Sequence, residues 1–174
     1  SNDNITEIRL KTPSETPEVP TKDTSSTETT PSEANNEQKH PTLTEILTYM
    51  RDFEGVKVNK QGKSDQNWRN NNPLNYRFYD PKGMGTDVEY LEKYKPVRRS
   101  AGGFAIFSHY DIGWVYAIND KKNKIKKHPN WTLYDLINNH APPEDNNPVD
   151  NYVANVAKRA KVDKYYLIKN LVLT

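Results

Sequence analysis

Residues 42–55 have the sequence TLTEILTYMRDFEG, and this stretch decides how the rest of the chain is interpreted. Its apolar side chains recur at intervals of three and four residues, which places them on one face of an amphipathic helix. These residues are Leu43, Ile46, Leu47, Met50 and Phe53. Gly55 is a stop signal, so the pattern predicts a helix over residues 42–54. Glu54 is then the last helical residue, next in sequence to a residue of the buried face.

The segment before this helix has a different composition. Residues 1–40 are rich in Thr, Ser, Pro, Glu and Asn and contain no aromatic residue and no glycine, whereas all eighteen aromatic residues follow residue 48. Such a segment cannot bury enough apolar surface to offset the entropy lost on ordering. We therefore predict a disordered tether over residues 1–40 and one folded domain over residues 41–174, in keeping with a length of 174 residues.

Charge divides at the same point. The tether carries a net charge of −4 and the whole chain +2, so residues 41–174 carry +6. A basic domain suits an anionic partner such as the cell wall, although a soluble basic domain without such a partner has the same composition. The absence of cysteine excludes disulfide and thiolate chemistry. We find no signal peptide or membrane-spanning run, and the tether composition is typical both of a processed envelope protein and of an interdomain linker.

The remaining pattern predicts an α+β domain that is mainly α-helical. Residues 56–103 are irregular and rich in Asn, Gly, Pro and Tyr, and Asn75–Tyr79 and Asp87–Tyr90 predict a small hairpin between residues 74 and 92. Ser108 is the expected N-cap of the next helix. Further helices are expected at 109–121, 131–140, 149–160 and 164–171.

Four motifs follow one another between residues 53 and 152. They are FEG at 53–55, WRNNNPLNYR at 68–77, GFAIF at 103–107 and APPEDNN at 141–147. This series resembles the bacterial and phage muramidase or lytic-transglycosylase-like proteins, whose signature runs FEG … RNNNPGN(L/Y)R … GFAxF … YAPPxxN. The resemblance implies a lysozyme-like fold of two lobes, a cleft between them, and the glutamate that ends the first helix as the catalytic acid.

The chain departs from that signature at two positions. Leu74 stands where the signature has glycine, and His140 stands where it usually has tyrosine. A glycine at position 74 would permit a positive φ that leucine disfavours. Leu74 is therefore the reason to consider an alternative function, a peptidoglycan-binding or structural module that has the scaffold without turnover.

Glu54 is the candidate catalytic residue on chemical grounds as well. Glycosidic cleavage needs a carboxylic acid that is still protonated near neutral pH, which requires a desolvated site beside apolar groups. The negative end of a helix also favours a protonated carboxyl, and Phe53 with Phe104 or Phe107 could supply the apolar wall. The simpler interpretation is a solvated glutamate before a capping glycine. No spacing rule selects a second carboxylate; the candidates are Asp65, Asp87, Glu144 and Asp145.

Amide and aromatic side chains in the other motifs are candidates for substrate binding. The full set is Asn70, Asn71, Asn72, Asn75, Arg77, Phe104, Phe107, His140, Glu144 and Asn146. Amides suit the N-acetyl and hydroxyl groups of amino sugars, but asparagine also favours turns. We expect the first one or two asparagines to fix the loop and others to face the cleft. The tryptophans Trp68, Trp114 and Trp131 are expected in the core.

Two further patterns are set aside. The lysine run contains Lys121, Lys122, Lys124, Lys126 and Lys127, and we interpret it as a solvated helix end and loop rather than a nucleic-acid site. The four histidines are too far apart in sequence to form a local metal-ligand motif. We therefore expect no metal, no cofactor and no nucleic-acid partner.

The combined prediction is an enzyme that cleaves peptidoglycan glycan strands. The bond would be the β-1,4 linkage between N-acetylmuramic acid and N-acetylglucosamine, broken by lytic transglycosylation or by hydrolysis. The protein would act as a monomer in the cell envelope or periplasm, as a secreted protein, or on a phage virion. The tether could then attach it to an envelope or phage assembly partner.

Overall fold

A computed structural model of the chain describes residues 39–78, 92–143 and 146–173. The helices of this part are α1 (Leu43–Glu54), α2 (Gln66–Arg69), α3 (Tyr110–Lys127), α4 (Leu133–His140) and α5 (Val149–Ala160), followed by a 3-10 turn at Ile168–Asn170. Two short strands, β1 (Val97–Arg99) and β2 (Ala105–Phe107), lie between α2 and α3 in the chain. The described chain is mixed α and β and mainly helical, which confirms that part of the predicted fold class.

Several predicted features lie outside the described residues. They are the tether up to residue 38, the strand at Asp87–Tyr90, and the acidic side chains Glu144 and Asp145. Among the helices that the structure describes, none combines the length and the apolar character needed to cross a membrane.

Helix α1 confirms the helix predicted over 42–54. Thr42 is its N-cap, and the Thr42 hydroxyl accepts a hydrogen bond of 3.0 Å from the backbone N–H of Glu45. The predicted apolar face is buried at Leu43, Ile46, Leu47 and Met50. This face packs mainly against α5, whose predicted bounds of 149–160 are also confirmed.

Helix α3 is longer than predicted and begins differently. It was expected to end at residue 121 but continues to Lys127, because Ala117, Lys121 and Ile125 recur every four residues along one buried face. It ends at Lys127, because Pro129 disfavours helical geometry at the preceding residue, His128. Ser108 is wrong as its N-cap: His109 holds that position and gives no side-chain capping bond. The lysine run is therefore helical, and its first member is not solvated.

Helix α4 confirms the helix predicted over 131–140, whereas the helix predicted over 164–171 is wrong. Thr132 and Asp135 form a capping box at the start of α4. The chain after residue 164 forms a turn, two single bridges and the 3-10 turn, because its backbone groups bond to other segments. Leu133 donates to the carbonyl of Tyr166 at 2.8 Å, and Leu43 donates to that of Val172 at 2.7 Å.

The sheet that the structure describes lies at residues 97–107, whereas most of the hairpin predicted between residues 74 and 92 lies outside the described residues. Strands β1 and β2 pair antiparallel, with Val97 opposite Phe107 and Arg99 opposite Ala105. A single bridge between Arg77 and Phe104 places the segment after the Asn-rich loop beside the same hairpin. Most of the GFAIF motif is thus strand β2, with the alternating burial of a half-exposed sheet.

The described residues form two apolar clusters. The main core contains the buried faces of α1, α4 and α5 together with Leu74 and Ala117, and the small core contains Tyr94, Ala105 and Phe107. The loop from α2 to the sheet connects them, since Leu74 lies in the main core while Phe107 donates a backbone hydrogen bond of 2.9 Å to Asn70. This loop therefore joins the two cores.

Candidate functional site

Glu54 ends α1 at a place where three helices meet. The Glu54 side chain is 16% exposed, and its Oε1 accepts a hydrogen bond of 2.9 Å from the hydroxyl of Tyr152 in the first turn of α5. The Nε2 of His140, the last residue of α4, lies 3.5 Å from the same oxygen. Burial raises the pKa of Tyr152 well above its usual range, and the Glu54 charge adds to the effect. The phenol is therefore protonated and remains the donor.

The apolar surroundings of Glu54 differ from those predicted. The rings of Phe53 and Tyr152 pack with centroids 4.2 Å apart beside the carboxyl. Phe107 is buried in the small core, and the ring of Phe104 packs under the Arg77 guanidinium at 5.0 Å. The wall next to Glu54 thus includes Phe53, as predicted, but with Tyr152 as its partner.

His140 connects Glu54 to the Asn-rich loop and to α3. Its Nε2 lies 2.8 Å from the carbonyl oxygen of Leu74, and its Nδ1 lies 2.8 Å from the ammonium of Lys121. A carbonyl can only accept and an ammonium can only donate. The two contacts together fit the tautomer with hydrogen on Nε2 and a lone pair on Nδ1.

Lys121 is almost completely buried, with 1% of its side chain exposed. It donates to the Asp120 carboxylate at 3.1 Å, and the hydroxyl of Tyr76 donates to the same oxygen at 2.7 Å. Burial lowers the pKa of Lys121, and Asp120 opposes that effect. Burial alone would raise the pKa of Asp120, yet it is lowered because Lys121 and Tyr76 outweigh burial. One series of polar contacts therefore links Glu54, His140, Lys121, Asp120 and Tyr76.

Asn71 and Asn72 fix the loop backbone. Asn72 is fully buried; its amide donates to the carbonyls of Tyr76 at 2.8 Å and Ala105 at 3.0 Å, and its Oδ1 accepts from the N–H of Tyr76 at 2.9 Å. Asn71 has a left-handed backbone with φ 51° and donates to the Phe107 carbonyl at 3.1 Å. These bonds occupy the amide of Asn72 and one amide N–H of Asn71.

Asn70 and Asn75 lie on either side of that pair. Asn70 is 9% exposed, and its Nδ2 finds no hydrogen-bond partner among the described residues. Asn75 has φ 56° and accepts a bond of 3.1 Å from Gln66. The expectation that position 74 needs a positive φ is wrong: the left-handed residue is Asn75, while Leu74 is fully buried in the main core.

The remaining predicted site residues border the loop and the sheet. Arg77 is exposed, with its guanidinium over Phe104. Asn146 has a left-handed backbone with φ 59° and donates its N–H to the Pro143 carbonyl at 3.0 Å. Glu144 lies outside the described residues.

The loop after Glu54 is held by Asp65. The Asp65 carboxylate accepts a bond of 2.7 Å from the N–H of Val56 and one of 3.2 Å from Asn59. The bond from Val56, followed by that from Asn59, lowers the pKa of Asp65. A side chain at Gly55 would overlap the Oδ1 of Asn67 and lie 2.7 Å from Asp65, so only glycine fits here. Asp65, a candidate second carboxylate, therefore stabilises the loop after Glu54.

The tryptophans divide between two environments. Trp114 and Trp131 pack against the main core, which confirms their prediction. Trp68 instead stacks on Tyr110 with centroids 5.1 Å apart and lies under the Arg51 guanidinium at 5.0 Å. Its indole N–H donates to the carbonyl of Gly55 at 3.1 Å, which ties this aromatic stack to the residue that follows Glu54.

Sequence reasoning missed Tyr152, Lys121, Asp120 and Tyr76 as parts of the site. The signal for Lys121 was its four-residue spacing from Ala117 and Ile125 on an otherwise apolar face. Tyr152 belonged to the apolar face of α5 and could be foreseen as buried, but its hydroxyl contact depends on tertiary packing. Neither signal identifies the partner, which lies 98 residues away in the chain for Tyr152 and 19 residues away for Lys121.

Comparison with protein-family models, curated proteins and solved structures gave no significant match. Within residues 39–78, 92–143 and 146–173, no group of three His, Asp or Glu side chains is placed to hold a metal ion. The geometry around Glu54 is therefore the basis for assigning a function.

Proposed function

We propose that residues 41–174 cleave peptidoglycan glycan strands, with Glu54 as the general acid. The bond is the β-1,4 linkage between N-acetylmuramic acid and N-acetylglucosamine. The observation that carries this proposal is the position of the Glu54 carboxyl: it ends a helix, is 16% exposed, and lies between an apolar ring pair and a buried imidazole. A mostly desolvated carboxyl with a remaining opening to solvent is what general-acid catalysis of glycoside cleavage requires.

The two oxygens of Glu54 have different surroundings. Within the described residues, the contacts with Tyr152 and His140 both involve Oε1. This leaves Oε2 to carry the proton. In the first step that proton passes to the glycosidic oxygen as the bond from that oxygen to C1 of N-acetylmuramic acid breaks, and Glu54 becomes a carboxylate hydrogen-bonded to Tyr152.

The second step separates the two possible reactions. In lytic transglycosylation the Glu54 carboxylate removes a proton from the C6 hydroxyl of the same N-acetylmuramic acid, whose oxygen attacks C1 to give a 1,6-anhydro product. In hydrolysis a water molecule loses the proton and supplies the attacking oxygen. Transglycosylation requires only Glu54, whereas an inverting hydrolase needs a second carboxyl about 6.5–9.5 Å away.

The surrounding charge supports an anionic polymer as substrate. Residues 41–174 carry +6, and the exposed Arg77 follows the loop that contacts His140 through Leu74. We also propose that the protein acts as a monomer in the cell envelope, as a secreted protein or on a virion. The tether would attach it to an assembly partner. Leu74 gives no reason to prefer an inactive module, since its backbone is unstrained and its side chain fills the main core.

The test is glycan cleavage by wild type and Glu54→Gln. Gln has the size of Glu but cannot deliver a proton, so cleavage of purified sacculi should fall about 10²–10⁴-fold while the fold and wall binding are retained. Loss of turbidity gives the rate, and mass spectrometry identifies the products. Glu45→Gln, the same change in the first turn of α1, is the matched control and should cleave at the wild-type rate.

Each outcome has a distinct meaning. Anhydro-muropeptides identify a transglycosylase, and reducing ends identify a hydrolase. Wild-type rates from Glu54→Gln would show that another group is the acid. Complete inactivation by Glu144→Gln, which we expect to cost much less, would indicate a two-carboxylate hydrolase. Sacculus binding without products would support the inactive module.

A further inference from the structure

Lys121 is buried, although lysine side chains usually lie at the protein surface. It is 1% exposed, whereas the next residue, Lys122, is exposed on the same helix. Removing an ammonium from water is strongly unfavourable unless it is paired and hydrogen-bonded. Asp120 supplies the paired charge. The same ion pair on an exposed face of α3 would not require the ammonium to leave water. The contact that burial makes possible is the one to Nδ1 of His140.

This contact constrains the imidazole from one side while Leu74 constrains it from the other. The Leu74 carbonyl accepts the Nε2 proton at 2.8 Å, and the Lys121 ammonium occupies the Nδ1 lone pair at 2.8 Å. A second proton on Nδ1 would face a positive charge at hydrogen-bond distance. Both neighbours therefore favour one neutral tautomer of His140.

We propose that Lys121 is a positioning residue that keeps His140 neutral, with its hydrogen on Nε2, beside Glu54. This inference rests on the proposed role of Glu54 as a proton donor. An imidazolium 3.5 Å from Oε1 would stabilise the Glu54 carboxylate and so remove the proton that the reaction needs. A neutral ring supplies packing and a dipole without that charge.

The groups around the ring show what would follow from removing Lys121. Glu54 faces His140 from α1, Asp120 lies behind Lys121 on α3, and Tyr76 packs edge-on against the imidazole with centroids 5.0 Å apart. Tyr152 reaches the same Glu54 oxygen from α5. Without the ammonium, the Nδ1 lone pair of His140 would lose the donor that holds it as an acceptor.

The first test measures the tautomer of the His140 ring directly and does not depend on enzymatic activity. Long-range proton–nitrogen NMR of the full chain at neutral pH distinguishes the two neutral tautomers and the imidazolium, and His140→Gln assigns the signal. We expect wild-type His140 to be neutral with hydrogen on Nε2. In Lys121→Met we expect the pattern of a single Nε2–H tautomer to be lost, while Lys122→Met, which removes the same charge one residue later, should match the wild type.

The second test measures the kinetics of sacculus cleavage. In Lys121→Met, kcat for sacculus cleavage should fall at least about tenfold at neutral pH, and KM should change little because a buried side chain cannot touch the glycan. A residue that only stabilises the fold would lower the melting temperature without changing the protonation of His140. Lys122→Met should retain the wild-type kcat and KM.

The outcomes separate this inference from the proposed function. Wild-type His140 found as an imidazolium, or with its hydrogen on Nδ1, would overturn the inference even if Lys121→Met fails to fold. A folded Lys121→Met protein with unchanged His140 signals and unchanged kcat would overturn it as well. If the wild type cleaves nothing but the NMR results are as expected, the proposed function fails and the assignment of Lys121 to His140 stands.

Discussion

Helices α1 and α5 pack through apolar side chains, whereas the loop at residues 67–75 is held by amide side chains. In the helix pair the contact surface consists of aliphatic groups such as Ile46 and Val156. In the loop, Asn67 donates to the carbonyls of Arg51 and Pro73, and Asn72 bonds to three backbone groups. Apolar contacts can adjust to a lost methyl group, but a buried hydrogen-bonding group cannot replace its partner.

Glu54 and His140 lie where these two regions meet. Glu54 belongs to the helix pair, while His140 bonds to the carbonyl of Leu74 in the loop. The position of the carboxyl therefore depends on apolar packing, and the position of the imidazole depends on the geometry of the amide-fixed loop. Substitutions in the two regions should therefore lower the free energy of unfolding by different amounts.

The largest effect on stability should come from Gly113→Ala, where α3 meets the loop. A methyl group there would overlap the carbonyl oxygen of Asn71, a backbone atom that cannot move alone. We expect a loss of about 3 kcal/mol or more in the free energy of unfolding, measured in urea. Gly102→Ala is the control: its nearest atom is a ring carbon at 3.5 Å, so it should stay within about 0.5 kcal/mol of wild type. A tolerated Gly113→Ala would mean that the loop is less rigid than the structure indicates.

The comparison itself is tested by Asn72→Ala beside Val156→Ala. Asn72→Ala leaves the N–H of Tyr76 without its acceptor and removes a donor from the carbonyls of Tyr76 and Ala105, so we expect a loss of about 3 kcal/mol. Val156→Ala removes two methyl groups from a completely buried site, for which we expect about 2 kcal/mol. Urea unfolding measures both. The reverse order would show that apolar packing, and not the amide network, dominates in both regions.

The smallest effect concerns acid stability at the loop after Glu54. The folded pKa of Asp65 lies below its ordinary value of 3.8, mainly because of the bond from Val56. The carboxylate therefore contributes stability above pH 3.8, and the contribution is lost as pH falls through the folded pKa. Asp65→Asn should lower stability at neutral pH and approach the wild type in acid, as followed by urea unfolding at several pH values. Asp111→Asn makes the same charge change at an exposed site, and a parallel response of the two variants would contradict the assignment.

Local periodicity predicted the helices well. The bounds of α1 and α5 follow from three- and four-residue spacing, which depends only on neighbours in the chain. The helix predicted over 164–171 was wrong because its backbone bonds to the start of α4: Tyr166 accepts from Leu133, and Ile168 donates to Trp131. Spacing along the chain cannot reveal such contacts. The observed sheet likewise depends on pairing between segments rather than on the pattern within one.

The candidate site was predictable only in part. Glu54 stood out because it ends a clear amphipathic helix before a glycine. Tyr152 and Lys121 occupy ordinary buried-face positions, and their partners lie 98 and 19 residues away in the chain. Asn72 was expected either to bind sugar or to fix the loop, and a single sequence does not show which hydrogen bonds an asparagine will make.

The pairing of Thr42 with Val172 gives the domain a particular response to mechanical force. The two residues form a parallel bridge, with bonds of 2.7 Å from Leu43 to Val172 and 3.0 Å from Val172 to Pro41. Tension applied between residues 41 and 173 would therefore pull the two segments past each other along their length. Both hydrogen bonds would bear the load together and rupture together, before any helix could be drawn away from the main core.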